Sequence, residues 1–183
     1  MRHVGSRTHQ SMSEMQQAVD EFRDWAKDYG LGSARAEART ESLGRPHRPT
    51  PLPAGWQGVY SFRYGSVWLK IGMAGPKSGA RWLSQHYNPG SAMSTLAFSL
   101  VRYGHFANCE DDRLPGLKGK LAAVGPDEIG EWIKHNTERV NVLIKAEMGK
   151  AGLTRLEAIA HRLLNPVFEG AWKFGGSVGV GSV

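Results

Sequence analysis

The sequence predicts an α+β domain with a small, three-stranded, mainly antiparallel sheet flanked by helices, and with a helical arm at its N-terminus. Apolar and polar side chains alternate over residues 56–64 and 67–73 with a turn at Tyr64–Ser66 between them, which is typical of a β-hairpin. A similar alternation over residues 139–147 predicts a third strand. The segments before and between these strands have helical periodicity, which completes the α+β pattern.

The N-terminal arm, residues 1–55, begins with a predicted helix. From Ser13 to Tyr29 apolar residues recur at steps of three and four, and Gly30 follows as a helix-ending residue. We expect this helix to pack on the main domain, and a docking or dimerisation helix is the alternative.

The rest of the arm is a basic segment. Residues 32–53 are rich in arginine and proline, which predicts an extended linker without regular helix or strand. Such a linker is either simply solvated or follows a DNA backbone, with Arg45 and Arg48 as the substrate-binding candidates.

Further helices are predicted around the third strand. In the last of them, Thr154 is the predicted N-cap and Glu157 occupies the capping-box position, with Gly149 and Gly152 separating this helix from the strand. The other predicted elements are a loop at 75–79, a helix at 80–87, a helix at 92–103 broken by Gly104, a loop at 109–125 and a helix at 126–136.

Composition limits the class of protein. The chain has 183 residues, of which 40% are hydrophobic and 22% charged. This suits one domain at residues 56–172, the arm at 1–55 and a flexible tail at 173–183. No apolar run is long enough for a membrane helix and no signal-peptide pattern is present, so we expect a cytoplasmic protein without membrane partners. The net charge of +6 favours polyanionic partners.

The cysteine content excludes further classes of site. Cys109 is the single cysteine, so the chain has no internal disulfide and no cysteine-based zinc site. The acidic neighbours Glu110 and Asp111 disfavour a reactive thiolate at this position.

The hairpin carries the most informative motif. Gly58-Val59-Tyr60 lies on its first strand, and Lys70-Ile71-Gly72 follows on the second after nine residues. Arg81 lies eleven residues beyond Lys70 on a predicted helix, and Glu157 lies on the last helix. In this order the residues resemble the GIY-YIG nuclease superfamily, and the resemblance covers roughly residues 56–168.

The chain departs from the family pattern at two positions. Lys70 replaces the second tyrosine, as in a branch that includes some restriction endonucleases, and the resemblance implies that it helps to activate Tyr60. Many members carry an asparagine after the helix-ending proline, but residues 167–169 read Val-Phe-Glu. That substrate-binding role is therefore unfilled or passes to Asn165.

The resemblance implies phosphodiester hydrolysis by a one-metal mechanism. Tyr60 is the expected general base for the attacking water, Arg81 the catalytic residue that binds phosphate, and Glu157 the ligand of Mg²⁺ (or Mn²⁺). Because an ordinary tyrosine pKa near 10 is too high for a base at neutral pH, we expect the Lys70 cation to lower the pKa of Tyr60 across the hairpin.

Several residues keep alternative interpretations. His86 and Tyr87 compete for one further role in catalysis or substrate binding, and His86 is otherwise a solvated histidine. His161 lies one helical turn after Glu157, but no third ligand at suitable spacing supports a zinc site. The structural alternatives are a strand aromatic for Tyr60, an exposed strand lysine for Lys70, a surface helix residue for Arg81 and a capping acid for Glu157.

The function expected from these observations is a DNA endonuclease with restriction-like cleavage of double-stranded DNA. Repair and mobile-element nucleases are competitors with the same chemistry. A catalytically inactive nucleic-acid-binding module and a protein-interaction domain are the alternatives from other classes. Cutting both strands usually involves a dimer or two sequential events, so a homodimer is one candidate assembly.

Overall fold

The computed structural model describes residues 5–30, 37–108 and 110–169, with side chains from residue 12 onward. Cys109 and the predicted tail at 173–183 lie outside the described residues. The helices are α1 (Gly5–Asp28), α2 (Gly79–Leu83), α3 (Leu96–Phe106), α4 (Leu117–Ala122), α5 (Ile129–Asn136) and α6 (Gly149–Leu164). The strands are β1 (Ala38–Ser42), β2 (Trp56–Tyr64), β3 (Val67–Ala74) and β4 (Glu138–Lys145), and short 3₁₀ turns lie at Gln85–Tyr87 and Ala146–Met148.

The α+β class is confirmed, but the sheet has four strands and not the three predicted. Its order is β1-β4-β2-β3, and every neighbouring pair is antiparallel. The additional strand, β1, lies in the segment predicted to be an irregular linker and pairs with β4 from Ala38 opposite Ile144 to Ser42 opposite Val140. The prolines of this segment begin only at Pro46, so the preceding residues are free to pair with the edge of β4.

Helix α1 packs on the main domain, as predicted. Its buried residues contact one face of the sheet and helix α6 in a continuous apolar cluster. Trp68 Nε1 on β3 donates to Glu14 Oε2 at 2.7 Å, and Arg162 on α6 pairs with Glu21. The helix begins at Gly5, eight residues before the predicted start. The buried residues of α1 are Met15, Ala18, Val19, Phe22 and Ala26.

Helices α3 and α4 differ from their predicted form because of packing between them. Gly104 does not end α3, which continues to Phe106. A Cβ atom at Gly104 would lie 2.7 Å from Leu121 Cβ on α4. The glycine therefore allows close contact between the two helices. Helix α4 lies in the predicted loop at 109–125, and its apolar residues Leu117 and Leu121 are buried.

The start of α6 was also predicted wrongly. The helix begins at Gly149, which has a φ of 62°, so Thr154 lies inside the helix and is not its N-cap. Glu157 is accordingly not a capping-box acid. Gly152 is buried inside the helix, where a Cβ atom would lie 2.8 Å from Met148 Cβ.

The second face of the sheet supports the motif residues. Helices α2 to α5 contribute to an apolar cluster on this face together with Tyr60 and Phe62. Trp82 on α2 packs on Gly58 of β2, where a Cβ atom would lie 2.8 Å from the indole ring. Both faces of the hairpin are therefore covered. No helix in the described ranges is long and apolar enough to cross a membrane.

Candidate active site

Tyr60 lies in the centre of β2 with its ring buried and its side chain across the edge strand β3. Its register partner on β3 is Gly72. A Cβ atom at Gly72 would lie 2.7 Å from Tyr60 Cε2 and Cζ, which is much closer than van der Waals contact allows. The glycine of the second half-motif therefore leaves the space that the Tyr60 ring occupies.

The Tyr60 hydroxyl is held by two other predicted catalytic residues. Arg81 Nε on α2 donates to Tyr60 Oη at 3.1 Å, and His86 Nε2 in the following 3₁₀ turn lies 2.6 Å from the same oxygen. Arg81 is exposed, whereas His86 is buried. Helix α2 and the 3₁₀ turn after it thus lie against Tyr60. They bring together Tyr60, Arg81 and His86, which are up to 26 positions apart in sequence.

Arg139 on β4 is a site residue that sequence reasoning missed. Its guanidinium carbon lies 5.3 Å from the Tyr60 ring centroid and 4.9 Å from the Trp82 ring. The side chain is 1% exposed, and it donates to Tyr87 Oη and Asn141 Oδ1. The alternation of β4 places Arg139 and Asn141 opposite its valines. Such a polar face is solvent-exposed in a sheet covered on one side only, but here it is buried.

The charges around Tyr60 differ from the prediction. Burial raises the pKa of Tyr60 above its ordinary value, and the cations Arg81 and Arg139 oppose this rise. The cations that lower the Tyr60 pKa are therefore Arg81, beside the hydroxyl, and Arg139, over the ring, and not Lys70 as predicted.

Lys70 is buried on β3 and holds the segment that follows α6. Its Nζ donates to Phe168 O at 2.8 Å, so the alternative of an exposed strand lysine is wrong. Burial lowers the pKa of Lys70, while the carboxylates of Glu169 and Glu157 raise it. The backbone N–H of Phe168 donates to Leu69 O at 2.7 Å, which covers the edge of β3 next to the site.

Glu157 lies half-buried on α6, and its charge is coupled to the other predicted residues. Burial raises its pKa, whereas His161, Arg81 and Lys70 lower it. Glu169, which follows α6, raises the pKa. The residues that affect the Glu157 pKa therefore come from α2, β3, α6 and the segment after α6, so the last helix lies near the hairpin.

Glu169 is a second carboxylate near Lys70, but its oxygens have protein partners. Glu169 Oε1 accepts the Ile71 N–H at 3.0 Å, and Oε2 lies 3.5 Å from His161 Nδ1. The motif resemblance gave no signal for this residue, because the family position expected there is an asparagine.

The donor set fits a hard divalent cation that keeps most of its water ligands. The carboxylate of Glu157 is not engaged in a hydrogen bond with the described residues, so both oxygens are available to a metal. Residues 12–30, 37–108 and 110–169 contain no group of three His, Cys, Asp or Glu side chains placed to hold one ion. A Mg²⁺ ion bound mainly by water and one carboxylate does not need such a group.

The predicted substrate-binding residues are dispersed. Tyr87 Oη contacts His47 Nδ1 at 3.0 Å and Arg139, so His86 and not Tyr87 contacts Tyr60. Arg45 pairs with the buried carboxylate of Glu138 at 2.8 Å. Arg48 is exposed and lies near Glu131 on α5, whose pKa it helps to lower. Asn165 is the exposed C-cap of α6 with a φ of 41°, a left-handed conformation that asparagine adopts readily.

A cleft of about 380 Å³ opens beside Arg81, between the end of β3 and the start of α6. Ser78, Arg81 and Lys150 contribute polar groups to its wall, and Met73 and Leu153 contribute apolar ones. The cleft provides space for a substrate next to the exposed side of Arg81.

Comparisons with protein-family models, with curated proteins and with solved structures found no match for this chain.

Proposed function

We propose that this protein is a Mg²⁺- (or Mn²⁺-) dependent DNA endonuclease of the GIY-YIG type, with Tyr60 as its general base. The observation that carries the proposal is the hydroxyl of Tyr60, which contacts both Arg81 Nε and His86 Nε2. The carboxylate of Glu157 acts electrostatically on the same tyrosine and raises its pKa. Tyr60, Arg81 and Glu157 can supply a general base, a cation for the phosphate and a metal ligand, which are roles that hydrolysis of a phosphodiester uses.

The proposed reaction is a direct attack of water on phosphorus. The water proton passes to the phenolate oxygen of Tyr60, the P–O3′ bond breaks, and the leaving O3′ takes up a proton from solvent. The products carry 5′-phosphate and 3′-hydroxyl ends. The reaction depends on the phenolate form of Tyr60. Burial and the charge of Glu157 disfavour this form by raising the Tyr60 pKa, whereas Arg81 and Arg139 lower the pKa and so favour it.

Arg81 can serve the tyrosine and the phosphate together. Its Nε–H is used by Tyr60, whereas its two terminal nitrogens make no hydrogen bond with the described residues. A guanidinium offers these N–H groups to two phosphate oxygens in a fixed geometry. Arg81 would thus bind the scissile phosphate next to the base.

Glu157 is the residue that would hold the divalent ion. An ion held by Glu157 would supply Lewis-acid polarisation of a phosphoryl oxygen and charge stabilisation at the leaving oxygen. The electrostatic coupling of Glu157 to Arg81 and Lys70 supports this role, because these cations lower its pKa and oppose the rise that burial causes.

Plasmid cleavage with Mg²⁺ tests this proposal. Wild type should nick or cut the plasmid and lose this activity on chelation of the metal, and mapped ends should carry 5′-phosphates. The Glu157→Ala variant should bind DNA but not cut it, because it lacks only the metal ligand. Glu147→Ala, which removes an exposed carboxylate in the turn before α6, is the matched control and should cut normally.

Two other results would decide against the proposal. Binding of DNA without cleavage under any divalent metal would favour a catalytically inactive nucleic-acid-binding module. Absence of salt-dependent DNA binding would favour a protein-interaction domain. Among active outcomes, discrete cut sites on double-stranded DNA would support the restriction-like subtype, whereas a preference for damaged or branched DNA would support repair or mobile-element nucleases.

A further inference from the structure

The hydrogen bonds of His86 specify which of its ring nitrogens carries a proton. The backbone N–H of Leu96 donates to His86 Nδ1 at 3.2 Å. A backbone amide can only donate, so Nδ1 must present its lone pair and cannot carry a hydrogen. Leu96 is the first residue of α3, where the N–H groups have no acceptor within the helix, so this amide is available to the histidine.

The surroundings keep the His86 ring neutral. Its side chain is 4% exposed, and burial is the main reason why its pKa falls to about 3. The charged groups around it add to this effect: Lys70 on β3, Arg139 on β4 and Arg81 on α2 all lower the His86 pKa. A neutral imidazole carries one hydrogen, and the contact from Leu96 leaves Nε2 as the atom that bears it.

Tyr60 Oη is therefore the acceptor in its 2.6 Å contact with His86 Nε2. Arg81 Nε–H donates to the same oxygen at 3.1 Å. Two donors thus point at one phenol oxygen, an arrangement that stabilises the phenolate more than the phenol. Neither donor can take a proton from Tyr60.

We propose that the backbone amide of Leu96, at the start of α3, fixes His86 as a neutral Nε2–H donor to Tyr60. In this form His86 does not act as a base. We call the two contacts, Leu96 to His86 and His86 to Tyr60, the positioning relay, although no proton is transferred along them. The relay deepens the proposed function, on which its catalytic meaning rests. The proton that Tyr60 loses before each turnover then leaves to solvent and not to the histidine.

The direct test is a nitrogen-15 NMR measurement of the histidine rings of the whole chain at neutral pH. The chain has seven histidines, and the His86 signals are those missing from the His86→Gln variant. We expect the unprotonated type of shift at Nδ1 and the protonated type at Nε2. A protonated Nδ1, alone or together with Nε2, would overturn the proposal. This measurement does not depend on cleavage, so it separates a failed relay from a failed nuclease.

Plasmid cleavage by two variants of His86 tests the consequence for catalysis. Glutamine has one acceptor and one donor group, so His86→Gln can keep the contacts with both Leu96 and Tyr60, but it cannot accept a proton. We expect His86→Gln to retain the rate to within about tenfold and His86→Leu to lose a further ten- to hundredfold, as for loss of a hydrogen bond to a charged group. Thermal unfolding checks that both variants are folded. If both are folded and lose the cleavage rate equally, a titrating histidine is required and the relay is overturned. If either variant fails to fold, the wild-type NMR result alone decides.

Discussion

Gly72 determines the position of the proposed base, and its substitution by alanine gives a sharp test. The new methyl carbon would lie 2.7 Å from Tyr60 Cε2 and Cζ. Ordinary contact between carbon atoms is about 3.5–4.0 Å, so the ring must move by about 1 Å. The ring cannot move freely, because Trp82 and His86 pack against it with centroid distances of 5.9 and 4.7 Å.

The expected effect of Gly72→Ala is larger on cleavage than on folding. Overpacking of a core costs about 1–3 kcal/mol in the free energy of unfolding. A displacement of about 1 Å at a reacting group costs about a hundredfold in rate. The variant should therefore remain folded but lose most of its activity.

Single-turnover cleavage of plasmid with Mg²⁺ and thermal unfolding measure the two effects. Gly119→Ala on α4 is the matched control, because the residue is exposed, a Cβ atom there meets nothing within 4 Å and the residue has no positive φ. It should behave as wild type in both assays. If Gly72→Ala cleaves at the wild-type rate, the close contact does not set the position of Tyr60 and the reasoning is refuted.

Two further predictions follow from buried charged and titratable groups. Arg139 lowers the pKa of Tyr60, so Arg139→Met should raise that pKa and move the pH–rate profile of plasmid cleavage to higher pH. The cleavage rate at neutral pH should fall by about tenfold, which is the order expected for the loss of one charge at intermediate dielectric. Exposed Arg102→Met is the control, and an unchanged profile for Arg139→Met would contradict the prediction. His47 is fully buried, and burial lowers its pKa to about 4. The His47 imidazole therefore stays neutral in the folded state, whereas in the unfolded state it takes up a proton below about pH 6.5. The free energy of unfolding, measured with urea, should therefore decrease by about 3 kcal/mol as the pH falls from about 6.5 to about 4, and His47→Gln should remove this part of the dependence. The same slope in the variant and in wild type would assign the dependence to other groups.

Elements with a strong local pattern were predicted best. The hairpin and β4 have period-two alternation, and a strand needs only that pattern and a partner. Strand β1 has no such pattern, and it forms because β4 offers an unpaired edge to residues 38–42. Gly104 shows the same limit, because a glycine breaks a helix in isolation but here allows contact with α4.

Some residues of the candidate site can likewise be recognised from the sequence, whereas their contacts cannot. The tripeptides at 58–60 and 70–72, together with Arg81 and Glu157, could be found from residue type and order. The partner of Lys70 could not, because Phe168 O lies 98 positions away and accepts through its backbone, which has no sequence signature.

The sequence by itself determined the α+β class and the residue types of the candidate site, because these follow from local periodicity and from the chemistry of single side chains. Only the tertiary structure decided that the Tyr60 hydroxyl contacts Arg81 and His86, that Arg139 lies near its ring, and that Lys70 donates to Phe168 O instead. Burial and charge act through space over a few ångströms, and the residues concerned come from β2, β4, α2 and the turn after α2. Their distances are therefore set by how both faces of the sheet are packed.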